Sequence, residues 1–185
     1  MSRILCGALA ALLLHVTPTV ELVKHVDAVK QMFPAADAWF ERELHLSGRD
    51  AHKLHEAMDW SPEDGVLRFY TGKHAGAAVG ALLFVRVDTP HGPLEVAVGF
   101  ANDGAVASVV VTKATVETKP WVQEAVAAGL MDKFVGMRQG DDPRKALQGL
   151  DGKVGGMPEY MAELIATAVG RGQVLYGTLY KENAS

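Results

Sequence analysis

The sequence predicts an α+β domain, a twisted and mainly antiparallel sheet with helices packed against it. Three observations carry that expectation. Between residues 66 and 113, β-type runs follow one another with turn signals between them: Val66–Thr71, Ala77–Thr89, Leu94–Ala101 and Ala105–Lys113. Connections this short join antiparallel neighbours. On either side of that block, apolar residues recur at helical spacing, first at Leu22, Val23, Val26, Val29 and Met32, later at Met161, Leu164, Ile165, Ala168 and Val169. At 185 residues, 49% hydrophobic and 22% charged, the chain is long enough for one core of useful size.

Arg3 precedes an apolar run from Ile4 to Val16, broken only by Gly7 and His15. A basic start followed by about a dozen apolar residues matches an export signal. A membrane span needs about 20. Residues 1–20 are therefore expected to be a signal peptide or membrane anchor, with a buried helix as the plainer alternative. Residues 21–185 are expected to form the module proper.

The helical spacing predicts a helix over Glu21–Met32, ended by Phe33-Pro34, because proline disfavours helix in the residue before it. Ala38–Leu46 reads as a short helix or a strand. Ser47-Gly48-Arg49-Asp50 reads as a turn, with Asp50 capping a helix over Ala51–Met58. Ser61–Gly65 is a turn, and so is Gly72–Gly76 after the first run of the meander. The next turns are Pro90–Pro93 and Asn102-Asp103-Gly104. The sheet is expected to hold about four to six strands, the usual size. Pro120 suits the first position of a helix running from Trp121 toward Phe134. A polar loop follows, with a short helix after Pro143, and then a glycine-rich stretch over Leu150–Pro158. The last long helix covers Met161–Val169, Gly170-Arg171-Gly172 ends it, and Gln173–Tyr180 is β-like or helical.

Composition removes several functions. A net charge of −4 argues against non-specific nucleic-acid binding, which needs a basic surface. The single cysteine, Cys6, makes no internal disulfide and no four-cysteine metal site. No Cys-x-x-Cys-His, Gly-x-Ser-x-Gly, Walker or Gly-x-Gly-x-x-Gly motif occurs. His45, His52 and His55 lie near one another with Glu56 beside them, and His52 and His55 would share a helix face. That spacing suits a haem or metal module, or a plain solvated surface. Trp60 and Trp121 are candidates for stacking on a planar ring, or for filling the core edge.

The order of the pieces resembles a known family. Phe33-Pro34-Ala35-Ala36-Asp37, Val79-Gly80-Ala81-Leu82-Leu83, the strand Gly104–Val111 and the pair Glu117-Thr118 together carry the resemblance. They are similar to segments of the FMN-binding domain found in the G and C subunits of the Rnf and Na+-pumping NADH:quinone reductase complexes. The match runs over about Val29–Val169. It implies that fold and an extracytoplasmic electron-transfer module, in the periplasm at the inner membrane. Its expected partners are a membrane redox complex or cytochrome subunits, with residues 4–16 as the membrane contact. The departure lies at the family's Ser/Thr-Gly-Ala-Thr motif, whose last threonine takes a phosphoester bond to FMN. The corresponding stretch here, Leu150–Met157, contains no threonine or serine.

Two readings follow from the resemblance. In one, FMN is held non-covalently. Gly152, Lys153, Gly155 and Gly156 then lie near its phosphate, since glycine-rich backbone before a helix suits an anion. Lys113, Thr115, Glu117 and Thr118 lie near the ribityl chain or ring. In the other, the loop is only a turn, no cofactor is bound, and the domain is a flavin-free subunit that docks on a redox partner.

Overall fold

The computed structural model describes residues 17–62, 64–150 and 152–180. Residues 1–16 of the signal or anchor expected over residues 1–20, with Cys6, lie outside them, as does Asp151 of the glycine-rich loop.

The meander is as the sequence predicts, and longer. Strands β2 (Ala38–His45), β3 (Val66–His74), β4 (Ala77–Val87), β5 (Leu94–Ala101) and β6 (Val106–Thr115) pair in succession, each antiparallel to the last. A three-residue strand β1 (Thr19–Glu21) adds to the far side of β6, with Thr19 opposite Thr115 and Glu21 opposite Lys113. The order is β1-β6-β5-β4-β3-β2, in one curled sheet shaped like a half-barrel.

Alternation along the strands divides the core between two faces. On one face, Leu82 and Ala97 meet helix α1 (His25–Met32) through Ala28, Val29, Met32 and the following Phe33. On the other, Leu83, Val85, Val96, Val98, Phe100, Val109 and Val111 meet the remaining helices. Those are α2 (Gly48–Met58), α3 (Lys119–Ala127), α4 (Leu130–Phe134), α5 (Lys145–Gln148) and the long α6 (Met157–Leu175). Leu130, Phe134, Met161 and Ile165 are fully enclosed there. Each such side chain contributes about 1.5–3 kcal/mol of burial. A π-helical turn, Tyr176–Tyr180, stacks Tyr176 on Phe100 with ring centroids 4.4 Å apart.

Several boundaries differ from expectation, each for a tertiary reason. The first helix begins at His25, because Glu21 is taken by pairing to Lys113. Ala38–His45 is a strand, since β3 offers it a full ladder. Ser47, not Asp50, is the N-cap of α2, and the Asp50 carboxylate accepts a hydrogen bond from the Ser47 backbone N–H, forming a capping box. Strand β3 runs through Gly72 to His74, leaving only Ala75-Gly76 for the turn. The helix expected over Trp121–Phe134 is broken into α3 and α4 at Gly129. Gly170-Arg171-Gly172 does not end α6: Gly172 lies on Val98, with 3.2 Å from a Cβ there to that side chain, so packing holds the helix through both glycines.

Candidate functional site

Strand β6 ends in a knot of two threonines. The Thr115 N–H donates to Thr118 Oγ1 at 3.1 Å, and the Thr118 N–H donates to Thr115 Oγ1 at 3.2 Å. The two hydroxyls also bond each other at 3.0 Å, and both residues are buried. Reciprocal bonding of this kind fixes the chain as it enters α3, so Val116 and Glu117, between the threonines, face outward.

The turn between β4 and β5 is pressed against this knot. A Cβ on Gly92 would lie 2.5 Å from Thr115 Cγ2, and Gly92 has φ +94°. Only glycine tolerates both conditions. Within the turn the Thr89 hydroxyl donates to the Gly92 carbonyl at 2.8 Å, and the His91 N–H donates to Thr89 Oγ1 at 3.0 Å. His91 is thereby held in place. Its Nδ1 lies 3.0 Å from Glu117 Oε1. Its ring stands edge-on to Trp121, centroids 5.4 Å apart at 82°, and to Tyr160, 6.4 Å apart at 70°.

Tyr160 belongs to the first turn of α6. That helix starts after Gly156, whose φ of +61° and ψ of −125° again suit glycine alone. No side chain caps it. A Cβ at Gly152, Gly155 or Gly156 would meet nothing within 4 Å, so the backbone here is open. The Lys153 N–H closes a turn onto the Leu150 carbonyl, and its side chain is exposed. Glu159 faces a neighbouring cleft of about 330 Å³ with Gly152 and Val154.

Three segments thus converge: the β4–β5 turn, the β6–α3 junction and the start of α6. Of the residues singled out in the sequence, Thr115, Glu117 and Thr118 stand at the junction, with Trp121 beside them. The threonine hydroxyls are engaged with each other, so Glu117 is the member with an exposed polar group. Lys113 goes elsewhere: its ammonium donates to Glu95 at 3.2 Å, in a cluster with His25. Trp60 lies under the Arg171 guanidinium, 4.8 Å from the ring centroid.

No family model, curated protein or solved structure matches this chain.

The three histidines of the trio each pair with a separate carboxylate. His45 pairs with Glu43, His52 with Glu56 and His55 with Asp59, each within 3.3 Å and each largely exposed. Among the described residues no group of three or more side chains is placed to hold a metal ion. Among them, too, no helix is long and apolar enough to cross a membrane.

Sequence reasoning missed His91 and Tyr160. His91 sits in a turn flanked by prolines, where any polar residue is ordinary. Its partners lie 26 residues away or more, so no local spacing marks it. The only sequence signal was the ring-bearing residue itself between two strands.

Proposed function

We propose that the chain is an extracytoplasmic electron-transfer module of a membrane-associated redox system, holding FMN without a covalent bond. One observation carries the reading. Glu117, in the stretch that resembles the FMN-binding domain, and Tyr160, in the first turn of α6 just after the stretch that corresponds to the family's flavin-attachment motif, are both in contact with His91.

The residues fit the cofactor in one respect and not in another. Gly152–Met157 offers no hydroxyl, so a phosphoester tether does not fit. Open glycine backbone at an uncapped helix start does suit a phosphate. The rings of Trp121 and Tyr160, both part-exposed, suit a planar heteroaromatic group. FMN, when bound, supplies one- or two-electron transfer. The chain's own contribution is position and charge. Gly155, Gly156 and the N–H groups of Met157 and Glu159 hold the anion, Pro158 offering none and the Tyr160 N–H being taken by the Gly156 carbonyl, with Lys153 adding a cation from the loop. Trp121 and Tyr160 cover the ring against water, and Glu117 with His91 borders its edge. The resemblance supports a place in the periplasm, beside a membrane redox complex or a cytochrome subunit.

A second reading is the flavin-free docking subunit. It is favoured by an apolar groove of about 470 Å³ between β1 and α3, onto which Val126, 40% exposed, opens with Val122 and Met131. Exposed apolar surface of this kind marks interaction sites.

Titration of the purified full-length chain with FMN separates the two. The first reading expects flavin bands near 370 and 450 nm (about the values for this cofactor class) to travel with the protein through gel filtration. Acid precipitation should then leave the colour in the supernatant. A chain that emerges colourless from saturating FMN sinks the first reading and leaves the second.

A further inference from the structure

We infer that His91 is a specificity-determining residue of this site, accepting a hydrogen bond at Nε2 from an N–H on the edge of a planar ring ligand. The inference rests on the FMN reading above, in which that N–H is the imide N3–H of the isoalloxazine.

A carboxylate can only accept hydrogen bonds. With Glu117 Oε1 3.0 Å from Nδ1, the proton of the neutral imidazole is drawn to Nδ1. Nε2 is then left as a lone pair. It is an acceptor with no partner among the described residues, on a ring that is 33% exposed. The imidazole is not free to turn away, for two reasons. Its backbone is tied to Thr89, and its ring stands edge-on to both Trp121 and Tyr160 while Nδ1 meets Glu117. A flat ligand covering either aromatic face therefore brings its own edge toward a fixed acceptor. A site built in this way selects ligands with a donor at that edge, because the analogue lacking it leaves the acceptor unpaired.

Chemical and protein substitutions together test this. The probes are FMN and N3-methyl-FMN, which lacks the imide proton, bound to the wild type, His91→Phe and His91→Gln. Phenylalanine keeps the ring packing and loses the acceptor; glutamine keeps an acceptor. Wild type is expected to bind N3-methyl-FMN about tenfold more weakly than FMN, which corresponds to one hydrogen bond of about 1.4 kcal/mol. His91→Phe should bind both about equally and at the weaker level, and His91→Gln should recover part of the preference. Equal binding of the two flavins by the wild type overturns the inference while leaving the FMN reading standing. No binding of FMN by the wild type removes both. A second measurement needs no flavin. Nitrogen-15 NMR of the ligand-free chain should place the neutral His91 proton on Nδ1, and a proton found on Nε2 overturns the inference by itself.

Discussion

Two histidine–glutamate pairs flank the end of strand β6, and they behave oppositely. On the α1 face, His25 Nε2 donates to Glu95 at 2.6 Å, and the same carboxylate takes the Thr112 hydroxyl at 2.8 Å and the Lys113 ammonium at 3.2 Å. The His25 ring is stacked on Phe84 with centroids 3.9 Å apart. Only 18% of the Glu95 side chain is exposed. At the junction with α3, Glu117 meets His91 in a single contact, and 43% of its side chain is exposed. In the first pair the carboxylate is answered three times over and ties α1 to the sheet, although the His25 side chain itself is 40% exposed. The second leaves an imidazole nitrogen, a carboxylate edge and two aromatic rings facing outward. Saturation of the carboxylate, rather than residue type, separates scaffold from candidate site here.

The closed side should be the less forgiving, and the largest effect is expected there. Gly80 on β4 sits where a Cβ would collide with the Phe33 ring and come 2.5 Å from the Phe100 carbonyl oxygen. The oxygen belongs to the sheet backbone and cannot swing aside. Gly80→Ala is therefore expected to lower stability by about 2–3 kcal/mol, the range of core overpacking. Urea unfolding measures it. A change under about 0.5 kcal/mol, the scale of a neutral surface substitution, would mean that the α1 face is loosely packed and the contrast with the junction overstated.

A smaller and pH-dependent effect comes from Glu95. Burial pushes its carboxyl up, but hydrogen bonds from His25 and Thr112, the His25 charge and the Lys113 ammonium outweigh that and hold it below the ordinary 4.5. The folded value is thus lower than the unfolded one. The stability this confers is complete above the unfolded value and is lost as pH falls through the folded one. Glu95→Gln is expected to cost about 1–2 kcal/mol near neutrality, the scale of hydrogen bonds to a charged group. The difference between variant and wild type should shrink as pH drops below 4.5. A difference that stays constant down to acid pH would show that the carboxylate charge is not what joins α1 to the sheet.

How much of this was legible beforehand follows the range of the interactions. The meander was readable because each turn joins neighbours in sequence, and the Thr115–Thr118 stretch stood out because it ends a valine-rich strand. Strand β1 was not readable, since three residues acquire that identity only by pairing with residues 113–115. The passage of α6 through two glycines was hidden for the same reason, because Val98 lies on another element. Lys113 and Thr115, two positions apart, look equivalent in the chain. Only the register irregularity between Glu95 and Val96, which brings Glu95 opposite Lys113 next to Val96 opposite Val111, sends the lysine into the closed cluster. The junction itself was half legible: Glu117 by its place after the strand, His91 and Tyr160 not at all.

The smallest expected effect on stability bears most directly on the comparison. Glu117→Gln removes the charge from an exposed pair, and such pairs contribute about 0–1 kcal/mol. The urea midpoint should therefore hardly move. The amide differs from the carboxylate in that it both donates and accepts. It meets His91 Nδ1 equally well with or without a proton there, so the imidazole loses its reason to keep one tautomer. Nitrogen-15 NMR should then show His91 as a mixture, with the fold intact. If Glu117→Gln instead destabilises the chain as much as Glu95→Gln, the junction is scaffold like its counterpart on the α1 face. An outward-facing acceptor would then carry no argument for a ligand.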